Sequence, residues 1–189
     1  MLFLKKMSDD VKVSAMKKKI LFVCHGNICR SPMAEFVFRH LLEQRGITDF
    51  SVSSCAVSTE EIGNDVHPGT KRKLAQVGIK CERRQARQIT LSDYADSELI
   101  IAMDYENLYH LNRILGGDEE HKIHLLLEFA PADYSGGVSS RCGKIKEIAD
   151  PWYTGNFDET FDDILAGCMG LADFCAERQA SASLSGGKL

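Results

Sequence analysis

A chain of 189 residues, 44% hydrophobic and 26% charged, has room for one domain of ordinary size. Its formal charge of −4 excludes a surface built to coat nucleic acid, and its composition excludes wholesale disorder and collagen-like repetition. The charge is uneven, +4 over residues 1–19 and −8 over the rest, so a phosphate site in the body must be a local device.

In chain order, Leu2-Phe3-Leu4 meets Lys5-Lys6 at once, which makes no secretory apolar region, and residues 1–17 read as a flexible extension. Lys19–Cys24 is a short apolar run rich in β-branched and aromatic residues and reads as a buried parallel strand. From Pro32 the spacing of Met33, Phe36, Val37, His40 and Leu41 is helical, and Gly46 stops it. Phe50–Val57 predicts a second strand, and His67–Val77 a helix with Pro68 in its first turn. Leu99–Met103 reads as a third buried strand, Tyr105–Leu115 as a helix ended by Gly116-Gly117, and Lys122–Leu127 as a fourth strand. Residues 128–148 read as irregular, Phe161–Phe174 as a closing helix and 181–189 as a flexible tail. Strands alternating with helices predict an α/β domain over residues 18–180, a four-stranded parallel sheet with helices on both faces and right-handed crossovers. No apolar stretch approaches a membrane span, so neither a membrane nor a nucleic-acid partner is expected. Seven scattered cysteines with no CxxC pair and no zinc-finger spacing point to reduced thiols in a cytoplasmic protein without a structural metal.

The chemistry concentrates at the first strand-to-helix turn, Cys24-His25-Gly26-Asn27-Ile28-Cys29-Arg30-Ser31-Pro32. A bare C-x5-R pattern is weak, and Cys81–Arg87 also fits it. That second match puts Glu82 inside the would-be loop, offers no Gly or Asn and opens no helix, so it reads as solvated loop. The first match ends a strand at the carboxyl edge of the sheet, where α/β proteins bind ligands. Gly26 and Asn27 tolerate the dihedrals that turn successive N–H groups inward as a nest. Ser31 can cap the following helix with Pro32 at its first position, and the helix N-terminus adds its positive end. Arg30 completes the bowl with a planar fork for two phosphoryl oxygens. A cysteine among such donors favours its thiolate.

Val23–Pro32 resembles the phosphate loop of the low-molecular-weight protein tyrosine phosphatases. Ser53-Ser54-Cys55-Ala56-Val57-Ser58, Ala86-Arg87-Gln88, Ala102-Met103-Asp104 and Asp150-Pro151-Trp152-Tyr153 resemble segments of that family in the same order. The resemblance spans roughly residues 18–178 and implies a flavodoxin-like fold with the phosphatase loop after the first strand. It also implies hydrolysis of phosphotyrosine and small aryl phosphates through a phosphocysteine on Cys24. Neither a metal nor an organic cofactor is implied, and the expected partners of a monomeric enzyme are tyrosine-phosphorylated proteins. A phenolate of pKa about 10 leaves poorly unless protonated. The resemblance makes Asp150 the proton donor and then the base that activates water. It places His25, Gly26, Asn27, Ile28, Cys29 and Arg30 around the phosphoryl group, Ser31 on the nucleophilic sulfur, and Trp152 and Tyr153 beside the substrate ring. Cys29 stands where family members form a reversible disulfide with the nucleophile.

Two positions depart from the family pattern. Glu60 falls where many members carry an aromatic residue, so a carboxylate is expected to meet, and to disfavour, acidic residues flanking phosphotyrosine. Val77 falls where animal members have a His that supports the loop Asn. Four other functions compete. An arsenate reductase on this fold needs two further cysteines in a mobile segment, and only Cys81 lies in the middle region. An arginine phosphatase carries Thr at the position of Ile28, whereas Ile28 suits a flat phenyl ring. A non-catalytic phosphate-binding module or a cysteine phosphocarrier has no use for Cys24, Arg30 and Asp150 together.

Overall fold

The computed structural model describes residues 17–132, 134 and 144–185; residues 1–16 of the extension expected over 1–17, Cys142 and residues 186–189 lie outside them. Four strands form one parallel sheet: β1 (Lys18–Cys24), β2 (Phe50–Ala56), β3 (Ser97–Ala102) and β4 (Ile123–Leu125), in the spatial order β2-β1-β3-β4. The helices are α1 (Arg30–Arg45), α2 (Pro68–Gln76), α3 (Leu91–Asp96), α4 (Tyr105–Leu115), α5 (Pro151–Thr154) and α6 (Phe157–Ser185). This is the expected α/β architecture, with the flavodoxin-like strand order.

β1 is central because its apolar run has a core on each side. Ile20 and Phe22 enter a cluster with residues of α1, α2 and α6, while Leu21 and Val23 meet residues of α3 and α4 on the other face. Phe22 meets Phe38 of α1 edge to face at 5.5 Å. Cys24 has the parity of Ile20 and Phe22, and this alternation turns it toward α1. Order reverses at β1, since β2 lies on one side and β3 on the other. The crevice at their carboxyl ends is where such sheets bind ligands.

Several boundaries differ from expectation. α1 begins at Arg30, before Pro32. β4 stops at Leu125, where residues Leu126–Glu128 wind into a 3₁₀ turn whose Glu128 carboxylate accepts the Leu125 N–H at 2.9 Å. α6 begins at Phe157, because the Asn156 side chain accepts the Glu159 N–H at 3.1 Å, and it continues through residues 181–185, read as tail. Gly170 lets α6 lie against the 3₁₀ turn: a Cβ there would sit 1.6 Å from the Phe129 carbonyl oxygen.

The short helix α3 is fixed by a reciprocal cap between Thr90 and Asp93. Asp93 also accepts from Lys19 at 2.9 Å and from both terminal nitrogens of Arg87 at 2.7 and 2.9 Å, tying α3 to β1. Burial works against its charge, but the bonds from Arg87, Lys19 and Thr90 outweigh it and hold the carboxyl well below the usual range. Asp93→Asn is therefore expected to cost about 1–3 kcal/mol at neutral pH, the worth of charge-assisted hydrogen bonds. A carboxyl depressed by folding stabilises above its unfolded value, so the difference from wild type should be full above about pH 4 and shrink as pH falls further. Denaturant unfolding across that pH range is the check; a gap independent of pH would remove the carboxylate from the explanation.

Candidate active site

Cys24 ends β1, and the chain turns at once into α1. Asn27 takes a left-handed φ of 59°, which Asn tolerates, and donates its N–H to the Cys24 sulfur at 3.3 Å. Gly26 has no positive φ; a Cβ there would lie 3.0 Å from Glu61 Cγ, so any larger residue would push the Glu61 side chain aside. Ser31 does not cap α1. The cap position is Cys29, whose side chain caps no N–H of the helix, and the Ser31 hydroxyl lies 3.1 Å from the Cys24 sulfur instead. The sulfur thus sits among a backbone N–H, a hydroxyl and the N-terminus of α1.

Cys29 is a different kind of thiol. Burial, then the charges of Cys24 and Asp150, push it up to about 12, so at neutral pH it stays protonated and does not compete as a nucleophile.

The Arg30 guanidinium, 3% exposed, lies between two acidic segments. Its Nη1 donates to Asp104 at 2.5 Å and to the Ile148 carbonyl at 3.1 Å, and its Nη2 donates to Asp150 at 2.5 Å. Nε is buried with no hydrogen-bond partner among the described residues. Burial opposes the charge, but Cys24, Asp150 and Asp104 outweigh it and raise the guanidinium further. Asp150 is also the N-cap of α5, accepting the Trp152 N–H at 3.0 Å, so a turn role and a site role coexist.

A cavity of about 100 Å³ opens above these groups. Of the residues singled out in the sequence, Cys24, His25, Gly26, Ile28, Cys29, Glu60, Asp150, Trp152 and Tyr153 line it. Asn27, Arg30 and Ser31 lie buried beside them. The cavity thus joins the nucleophile candidate Cys24, the carboxylate residues Glu60, Glu61 and Asp150, and an apolar wall.

A family model described as Low molecular weight phosphotyrosine protein phosphatase matches residues 19–182. The chain belongs to that family. It is 37% identical over 153 residues to low molecular weight protein-tyrosine-phosphatase YfkJ of Bacillus subtilis, covering 80% of this chain and 92% of that one. It is 33% identical over 155 residues to PtpA of Staphylococcus epidermidis, covering 82% and 92%. The crystal structure of YfkJ superposes with a TM-score of 0.76 at 34% identity, covering 87% of this chain and 98% of that one. The low molecular weight protein tyrosine phosphatase SP-PTP of Streptococcus pyogenes superposes with a TM-score of 0.68 at 33% identity, covering 82% and 91%.

The phosphatase supports its loop Asn in a way the sequence did not reveal. Val77 ends α2, 39% exposed, and none of the hydrogen bonds to Asn27 comes from it. The support is Arg84, from the segment read as solvated loop. Asn27 Nδ2 donates to Ser31 at 2.9 Å and to Ser54 at 2.8 Å, and its Oδ1 accepts from Arg84 Nη2 at 2.9 Å. Arg84 Nη1 reaches Ser54 and, at 2.6 Å, the buried Glu35 of α1. One guanidinium therefore ties the phosphate loop to α1 and β2. Arg84→Met is expected to weaken competitive inhibition by inorganic phosphate about tenfold, the scale of one charge-assisted hydrogen bond. An unchanged inhibition constant would reduce Arg84 to a bystander.

The rim also holds residues missed in the sequence. Trp152 meets the His67 ring at 5.6 Å, and His67 stacks on Phe157 at 5.3 Å while its Nδ1 accepts the Gly69 N–H as the cap of α2. Glu60 faces the loop itself, 3.0 Å from His25 Nε2, with Glu61 beside it in the cavity wall. Trp152 and Tyr153 line the cavity and are 55% and 83% exposed.

Proposed function

We propose that the phosphatase hydrolyses phosphotyrosine in proteins with Cys24 as nucleophile, Arg30 as phosphoryl clamp and Asp150 as proton donor and base. The observation that carries this reading is the placing of the Cys24 sulfur and the Asp150 carboxylate on one small cavity, with Arg30 bonded to that carboxylate. The phosphoryl dianion enters between the loop N–H groups and Arg30, displacing the Arg30–Asp150 contact. An S–P bond forms as the P–O bond to the ring breaks. Arg30 and the loop amides hold the equatorial oxygens, and protonated Asp150 gives its proton to the phenolate. Asp150, now a carboxylate, takes a proton from water as water attacks phosphorus and the S–P bond breaks, which regenerates the thiolate. Ile28, Trp152 and Tyr153 line the cavity and flank the phenyl ring in this reading. Glu60 meets the residues flanking it, on a monomeric enzyme. All six cysteines among the described residues are free, which supports a reducing compartment such as the cytoplasm.

Asp150→Asn tests the reading. Its kcat/KM is expected to fall about 10²–10³-fold for aryl phosphates with basic leaving groups and far less for those whose phenol is acidic, since the missing proton matters in proportion to leaving-group pKa. An equal loss across the series would assign Asp150 to structure.

A further inference from the structure

We infer that Thr160 and Asp163, on one face of α6, are positioning residues that hold the segment delivering Asp150; the inference rests on the acid role proposed above. Residues 146–150 precede a helix of a single turn, so the backbone gives them little rigidity of its own. What fixes them is a set of tertiary bonds. Ile148 donates its N–H to the Met103 carbonyl at 3.0 Å, and its own carbonyl accepts from Arg30. The Ala149 carbonyl, next to Asp150, accepts from Thr160 Oγ1 at 3.1 Å, a hydroxyl that also lies 3.1 Å from the Asn156 carbonyl. Lys146 Nζ reaches Asp163 Oδ1 at 2.7 Å, and the Tyr134 hydroxyl donates to the same oxygen.

Thr160 and Asp163 are three residues apart and so share a helix face, and both are buried. A carboxylate 1% exposed is costly to keep in a helix, and its cost is offset here by the Lys146 cation, from the segment that leads into Asp150, and by the Tyr134 hydroxyl. Its second oxygen, Oδ2, is buried without a partner among the described residues, so the bonds to Lys146 and Tyr134 fall on a single oxygen. Burial, then the Asp163 bond, push the Tyr134 hydroxyl well up, which keeps it a donor. Proton transfer needs donor and acceptor within about 3 Å, and a misplacement of about 1 Å can cost about a hundredfold. The loop backbone and Asn27 are held separately, by β1, α1 and Arg84, whereas Arg30 reaches the segment at the Ile148 carbonyl and Asp150 and is held by Asp104 besides. Loosening the anchor therefore affects proton delivery more than phosphate binding.

The test measures Thr160→Val, Thr160→Ser and Asp163→Asn against Asp150→Asn across one series of aryl phosphates, with inhibition by inorganic phosphate as the control for the bowl. Thr160→Val and Asp163→Asn are expected to lose about tenfold in kcat/KM at the basic-leaving-group end and less than about twofold at the acidic end, with phosphate inhibition unchanged. Thr160→Ser, which keeps the hydroxyl, should track wild type. A uniform loss across the series, or none while Asp150→Asn remains steep, overturns the positioning role alone. A flat series for Asp150→Asn removes the acid assignment and the inference with it. Should Asp163→Asn fail to fold, the contrast between Thr160→Val and Thr160→Ser decides the question.

Discussion

Cys24→Ser is expected to abolish turnover, by at least about 10⁴-fold in kcat, the scale on which removing a covalent nucleophile acts. A serine hydroxyl is far harder to ionise than a thiol, so the neighbours of the sulfur, Asn27 N–H and Ser31 Oγ, cannot make it a nucleophile. Those donors and Arg30 remain, so binding of inorganic phosphate should persist in calorimetry. Cys29 cannot take over, because its thiol lies up near 12. Cys81→Ser should leave kcat within about twofold, since the second C-x5-R segment serves through Arg84 and not through its cysteine. Equal impairment of the two variants would mean that the wrong cysteine has been chosen.

Arg30→Lys carries the second largest effect, about 10²–10³-fold in kcat/KM although the formal charge is kept, comparable to losing a preorganised oxyanion donor. The guanidinium bonds to Asp104, the Ile148 carbonyl and Asp150 at once. An ammonium has neither the planar fork nor enough reach to hold Asp104 and two phosphoryl oxygens together. Burial at this position also disfavours the charged form of a lysine, whereas a guanidinium stays charged. Steady-state kinetics on phosphotyrosine decide it; near-normal kcat/KM in the variant would contradict a two-pronged clamp.

The sheet and the phosphate loop were legible because both are written locally. Ile20–Val23 is an unbroken apolar run, and Cys24 through Arg30 are contiguous, so strand parity and turn chemistry suffice to place them. Arg84 was not legible. It meets Glu35, 49 residues earlier, and Asn27, 57 residues earlier, and pairings between polar side chains at such separations leave no periodic trace. Ser31 misled for a related reason: Ser-Pro is good capping chemistry, but the Cys24 sulfur and the Cys55 carbonyl claim its hydroxyl. α3 left a signal that went unread, the Thr90 to Asp93 capping spacing, on a helix too short for periodicity. At the end of α6, serines that favour turns are carried into the helix by its long packed face, from Phe161 to Cys175.

The most direct measurement of the chemistry is to mix wild-type enzyme with an aryl phosphate, quench within the first turnovers and locate covalent phosphate by peptide mass spectrometry. Phosphate is expected on Cys24 and on no other residue, forming as the phenol is released and disappearing as inorganic phosphate accumulates. Phosphate on Cys29, Cys81 or any other side chain, or phenol release with no phosphorylated enzyme at any quench time, would contradict a phosphocysteine pathway through Cys24.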